Sequence, residues 1–452
     1  MSRKEDLQTR EYCFEILLPV LRGEEYSHVY LKAVLDKNDD WEPGRKAFLK
    51  KLTMGVLERK TTLDYCLQRF LKQPLVRMKT PLRIILEIGA YQILYMDHVY
   101  DTKACDLSVE LAKKKGFGQM TGLVNGVLRN LVRSKESIEF PEKDHPAEYL
   151  SVRYSVPEWM TKFFLSQYDF ERVERMCESF TKESRIGIHL KSSLPLPEKE
   201  SILSFLKENS AEFEKCTFLP DACSLKGAGE ITALPGFEEG KFYIQDYSSQ
   251  TLGYLVPLKE GDTVLDACAA PGGKSIYLAD KLAGSGLVIS CDVSENKTGI
   301  IRENVSRMGF ENVKVRLRDA TADVPEKEEK ADVVLCDVPC SGLGVMGRKP
   351  DIKYRITAPD LNSLVLLQKE IVTKQVHALK TGGIFVYSTC TVNKAENEGM
   401  AAWIKENLPL CEIPFPNLPD ELTDCRISEG MLQFLPGEHG CDGFFIAMFR
   451  KK

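Results

Sequence analysis

Residues 263–275 read TVLDACAAPGGKS, and this stretch decides the fold. Val264 and Leu265 lie in a short β-type run closed by Asp266, and from Ala267 to Gly273 every residue is small or proline. Small residues let a backbone approach a ligand closely, and the helix expected from about Gly273 offers free N–H groups in its first turn. Further strand-like runs follow at 286–292 (GLVISCD), 313–319 (VKVRLRD), 331–340 (ADVVLCDVPC), 382–390 (GGIFVYSTC) and 443–449 (GFFIAMF), with helical stretches between them. That alternation predicts a mostly parallel sheet with helices on both faces across residues 241–452.

In such sheets, ligands bind beyond the carboxyl ends of the strands. The turn after Asp266 has neither the G-x-G-x-x-G spacing nor the GxxxxGK[ST] phosphate loop, which disfavours NAD and ATP. Asp292 closes the second strand, where a carboxylate accepts both hydroxyls of a ribose. Asp319 closes the third, within reach of an adenine amino group. A turn and two such carboxylates describe an adenosine site without a pyrophosphate, and S-adenosylmethionine fits that description.

Two cysteines end on the same side. DVPC closes the fourth strand with Asp337 and Cys340, and YSTC closes the fifth with Cys390. Two thiols and a carboxylate beside a methyl donor suggest methylation of an unreactive carbon. Cytosine C5 is such a carbon until a thiolate adds at C6, which makes C5 nucleophilic. A base then removes the C5 proton and elimination frees the enzyme. A free thiol has a pKa of about 8.5, so its surroundings must activate it. Chemistry alone leaves open which thiol attacks.

The rest of the chain sets the context. At 452 residues, with 43% apolar and 28% charged residues, the composition is that of a soluble globular protein of two or three domains. The 14 cysteines form no C-x-x-C pair and there are only 6 histidines, so no metal site is expected. The N-terminus carries no apolar signal core and no apolar run reaches the ~18 residues of a membrane span, so a cytoplasmic protein without a membrane partner is expected. The net charge of −5 divides into +5 over residues 1–140 and −10 over the remainder, compatible with a polyanionic partner for the N-terminal part.

Residues 1–140 read as helices, with apolar stripes such as Cys13, Ile16, Leu17 and Val20, or Val124, Val127, Leu128 and Leu131. Pro19 should kink or shorten the first of them. Residues 136–147 break the periodicity as a linker, and 148–240 form a small mixed α/β segment with RIGIHLK (185–191) as a strand.

DACAAPGGKS, CDVPCSGLGVMGRKPDIKYR and YSTCTVNKAENE together resemble the RNA 5-methylcytosine methyltransferases of the NOL1/NOP2/Sun family, with FYIQDYSSQ and FLPGEHGCDGFFIAMF as flanking motifs. EIGAYQILYMD and LVNGVLRNLVR are similar to NusB-type RNA-binding domains. The resemblance implies a multidomain chain: an all-α NusB-like N-terminal domain, the small mixed segment, and a C-terminal Rossmann-like class I methyltransferase domain. It implies transfer of a methyl group from S-adenosylmethionine to cytidine C5 in small-subunit (16S) ribosomal RNA. It makes Cys390 the nucleophile, with Cys340 assisting proton removal or product release and Asp337 holding the base. Donor binding is expected from Cys268, Ala269, Ala270, Pro271, Gly272, Gly273, Lys274, Asp292, Asp319 and Asp337. RIGIHLK stands where the family often reads R-V-N-T-L-K. Arg129, Arg133 and Lys113–Lys115 are candidate phosphate contacts. Transfer RNA as substrate, or a non-catalytic RNA-binding or antitermination factor, are the competing readings.

Overall fold

The structure, a computed structural model, describes residues 2–325 and 330–452. They form two compact units, Met1–Lys182 with Met346–Thr357, and Glu183–Val345 with Ala358–Lys452.

The first unit is helical: α1 (Arg3–Leu21), α2 (Ser27–Lys37), α3 (Pro43–Gln68), α4 (Thr80–Tyr95), α5 (Asp101–Lys114), α6 (Thr121–Ser134), α7 (Pro146–Tyr154), α8 (Glu158–Leu165) and α9 (Phe170–Ser179). Ser2 and Glu5 cap α1 reciprocally, and Pro19 falls in its last turn, so the helix stops two residues later. The apolar stripes of the sequence all enter one core, with Cys13, Leu17, Leu63, Leu86, Val124 and Leu128 fully enclosed. Each such leucine contributes roughly 1.5–3 kcal/mol by leaving water. α4 packs against α1, α3, α5 and α6 and is apolar on nearly every side. Its one buried acid, Glu87, is neutralised by Lys60 at 2.9 Å and Arg83 at 2.8 Å.

The expected boundary near residues 140–148 differs from this division, because α7–α9 pack with the bundle and the second unit starts at Glu183. Thr62 Oγ1 donates to Val152 O (2.7 Å) and Ser155 Oγ accepts from Thr61 N (3.0 Å), which holds α7 on α3. Lys114 pairs with Glu11, Lys115 with Glu11 and Glu15, and Arg129 with Asp106, so much of that charge is answered within the bundle.

The second unit begins with β1 (Ile186–Leu190), α10 (Leu196–Glu208), β2 (Glu212–Lys215), β3 (Ala222–Lys226) and β4 (Phe242–Ile244), an antiparallel sheet in the order β2–β3–β1–β4. His189 on β1 is buried there against the Tyr243 and Tyr277 rings, with Nδ1 3.1 Å from Gln250 Oε1. Then come α11 (Tyr247–Leu255), β5 (Thr263–Asp266), α12 (Gly273–Lys281), β6 (Leu287–Asp292), α13 (Glu295–Met308), β7 (Val313–Leu317), β8 (Ala331–Asp337), α14 (Ile352–Arg355, part of the helical unit), α15 (Ala358–Gln375), β9 (Leu379–Thr389), α16 (Glu398–Asn407), β10 (Leu410–Glu412), β11 (Arg426–Ser428), β12 (Met431–Phe434) and β13 (Phe444–Lys451). The large sheet runs β11–β12–β13–β9–β8–β5–β6–β7, parallel from β9 to β7 and antiparallel at β13. β5 lies between β6 and β8, so connections leave it in both directions and open a crevice above its carboxyl end.

The segment around α14, GRKPDIKYR, belongs to the helical unit. Asp351 accepts from Ser27 N (2.9 Å), Tyr354 O–H donates to Leu57 O (3.0 Å), and Lys353 Nζ donates to Ser155 O (3.0 Å) and Glu58 O (3.2 Å). Lys353 is enclosed, and burial pulls its pKa down to about 8.

Candidate active site

The crevice is shaped first by the turn after β5. Ala267 N donates to Leu335 O (2.9 Å) on the β8 side and Ala269 N to Cys291 O (2.8 Å) on the β6 side, so the turn spreads across the switch point. Gly272 then enters α12 with φ +105°, a conformation that favours glycine, and a Cβ there would lie 3.3 Å from Ile301 Cγ2. Asp266 is sealed beneath the turn and binds Ser275 Oγ (2.7 Å), fixing the helix to the strand; burial pushes its carboxyl up to about 7.

A cavity of about 560 Å³ lies over these strand ends. Of the expected donor-site residues, Cys268, Ala270, Asp292, Asp319 and Asp337 line it, together with Cys340 and Cys390. Asp292 Oδ2 accepts Ala270 N (3.1 Å), and its Oδ1 accepts Val293 N (2.8 Å) and stands 3.2 Å from Lys297 Nζ. Asp319 Oδ1 accepts Thr321 N (2.9 Å) and Oγ1 (2.8 Å), and these bonds hold its carboxyl below the usual range. Ala269, Pro271, Gly272 and Gly273 shape the turn and helix entry behind the wall.

Lys274 reaches the wall residue Asp337. Its Nζ donates to Asp337 Oδ2 at 2.7 Å, and Ser388 Oγ donates to Asp337 Oδ1 at 2.7 Å. Burial opposes the charge on Lys274, but Asp337 outweighs it and its pKa stands above the ordinary lysine value.

The thiols meet at the far end. Cys340 Sγ and Cys390 Sγ are 3.3 Å apart, both half-buried. Their loops are locked together, because Gly344 N donates to Cys390 O (3.1 Å) and Gly443 N to Gly344 O (2.9 Å). A Cβ on Gly344 would fall 2.2 Å from Gly443 O, so this crossing needs glycine. The bond with Cys390, then burial and nearby negative charge, push Cys340 well above the ordinary thiol value. Two thiolates in contact repel, so one of the pair keeps its proton at neutral pH.

Sequence reasoning missed several neighbours. Lys297 had a readable signal, a cation in the first turn of the helix after Asp292. Leu367 and Glu370 line the cavity from α15, and Ser388 braces Asp337. These come together through tertiary packing, for which no local spacing is a signal.

Residues 253–450 match the family model described as 16S rRNA methyltransferase RsmB/F, and residues 7–133 match that of the NusB family. The chain is 34% identical over 98% of its length to a probable ribosomal RNA small subunit methyltransferase B of Bacillus subtilis (strain 168), covering 98% of that protein. It is 31% identical over 98% of its length to the same-named protein of Synechocystis sp., covering all of it (100%). Among solved structures, PH0851 aligns with TM-score 0.80 at 23% identity, covering 97% of this chain and 98% of that one. NSun6 from Pyrococcus horikoshii, solved with SFG, aligns with TM-score 0.57 at 21% identity, covering 64% of this chain and 97% of that one. These two share the fold. Among the described residues no helix is long and apolar enough to cross a membrane. A NusB-type helical domain joined to an RsmB/F-type catalytic domain, with full-length relatives of one kind, places this chain in the ribosomal RNA small subunit methyltransferase B family.

Proposed function

We propose that the chain transfers a methyl group from S-adenosylmethionine to C5 of a cytidine in 16S ribosomal RNA, through a covalent bond between Cys390 and pyrimidine C6. The observation that carries this reading is the 3.3 Å contact of Cys340 and Cys390 on the wall of a cavity that also presents Asp292 and Asp319. The donor fits these residues. The cavity volume of about 560 Å³ is that of a small-molecule site, and its turn and carboxylates match an adenosine. Asp292 would accept the ribose hydroxyls and Asp319 the adenine amino group. When bound, S-adenosylmethionine supplies a methyl group on a positively charged sulfur.

The chain's own residues do the rest. The target base leaves its stack to reach Cys390, at a cost of a few kcal/mol. Asp337, braced by Lys274 and Ser388, is aimed at the N3 and N4 edge of the cytosine. The Cys390 thiolate forms the bond to C6, and C5 becomes the nucleophile. Before attack, Cys390 holds Cys340 protonated. Once the Cys390 sulfur is bonded to carbon that influence ends, and Cys340 can release its proton to solvent and take the one from C5. The S–C6 bond then breaks and Cys390 is restored. Unmodified 16S and transfer RNAs, treated separately and digested to nucleosides, test the substrate. The reading expects 5-methylcytidine from 16S RNA, and 5-methylcytidine from transfer RNA alone would overturn it.

A further inference from the structure

Glu396 lies six residues beyond Cys390, outside the cavity wall, with 0% of its surface exposed. A carboxylate is costly to bury unless donors surround it. Here Oε1 accepts from Ser341 Oγ (2.5 Å) and Asn393 Nδ2 (2.9 Å), and Oε2 accepts from Ser341 N (2.9 Å) and Gln368 Nε2 (2.9 Å). Four donors converge on two oxygens, so an amide in this place would turn its own N–H groups against two of them.

Two of these bonds come from Ser341, the neighbour of Cys340. Ser341 follows Cys340 and Thr391 follows Cys390, and their hydroxyl oxygens are 2.7 Å apart. Ser341 has one hydroxyl proton and gives it to Glu396, so Thr391 must donate to Ser341. The chain of bonds therefore runs Thr391 to Ser341 to Glu396, across the gap between the loops. Gln368 also donates to Pro339 O (3.0 Å), the residue before Cys340, and Tyr387 O–H on β9 donates to Glu396 O (2.7 Å). The loop bearing Cys340 thus hangs on the buried carboxylate of a residue whose main-chain carbonyl is tied to β9, the strand that leads into Cys390.

We propose that Glu396 is a positioning residue that holds Cys340 against Cys390 through Ser341 and Thr391, and so governs release of the covalent adduct more than its formation. This inference rests on the covalent reading above.

The test uses full-length Thr391→Val and Glu396→Gln proteins with unmodified 16S RNA and S-adenosylmethionine, following the covalent protein–RNA band on denaturing gels over time. Cys340→Ala and Cys390→Ala serve as controls, and donor affinity is measured by calorimetry. The expected result is near-normal donor binding, a band that forms, and release slowed about tenfold or more, as misplacement of a reacting group predicts. Thr391→Val is nearly isosteric and decides the matter if Glu396→Gln fails to fold. A band that clears at the wild-type rate overturns the inference. So does a loss of band in parallel with donor binding, which is the mark of a merely structural role. Absence of a band in Cys340→Ala would instead sink the covalent reading itself.

Discussion

Lys274→Met separates two jobs that this lysine has been given. Sequence reasoning put it among the donor-binding residues, and in the structure its Nζ bonds at 2.7 Å to Asp337, a cavity-wall residue read both as donor-binding and as holding the base. At that separation and an effective dielectric of ~20, the gross attraction is about 6 kcal/mol, much of which desolvation cancels. Removing one partner of such a pair costs roughly 3–5 kcal/mol because the survivor is left uncompensated. Asp337 keeps the Ser388 hydrogen bond, which favours the lower end, about 3 kcal/mol. Because Asp337 acts only when the base is engaged, that loss of its orientation appears as a fall of about a hundredfold in the single-turnover rate. The assay is transfer of labelled methyl at saturating donor, with donor affinity measured by calorimetry on the same protein. The expected outcome is the hundredfold fall with affinity changed less than about threefold. A large loss of affinity with a normal rate at saturation would refute this placement of Lys274.

Asp292→Ala should do the opposite, weakening donor binding by about 1–3 kcal/mol, or roughly 5–150-fold, while the rate at saturation changes little; calorimetry and the same transfer assay check it. Gly344→Ala, which places a Cβ against Gly443 O, should abolish adduct formation while leaving donor affinity near normal. Lys353 should leave a pH signature in stability. Its folded pKa of about 8 lies below the ordinary lysine value, so unfolding becomes harder as pH rises from about 8 to about 10.5, by at most about 3 kcal/mol. The difference in urea stability between wild type and Lys353→Met should grow across that window, and a flat difference would show that the buried ammonium carries no such cost.

The fold was legible where local pattern carries it. The stripe from Val124 to Leu131 and the strands ending at Asp266, Asp292, Asp337 and Thr389 follow from periodicity and from short apolar runs, and each is an element of the structure. β10, β11 and β12 were missed because three or four residues are too few to show an alternation. At the site, Cys340, Cys390, Asp292 and Asp319 were readable because strand ends in a parallel sheet converge in space. The direction of the Lys274 side chain was not, since it depends on β8 lying beside β5. Nor was the placement of GRKPDIKYR in the helical unit, because its partners Ser27, Leu57 and Ser155 are hundreds of residues away in sequence. The Lys113–Lys115 run shows the same limit: its charge is visible in sequence, while the pairing of Lys114 and Lys115 with Glu11 is set by how α5 packs on α1.

The most direct test of the account is a covalent trap. Cys340→Ala protein, incubated with unmodified 16S RNA and S-adenosylmethionine and run on a denaturing gel, should give a slow protein–RNA band that disappears in the Cys340→Ala, Cys390→Ala double variant. A band that persists without Cys390, or normal turnover with no band when only Cys340 is missing, would contradict it.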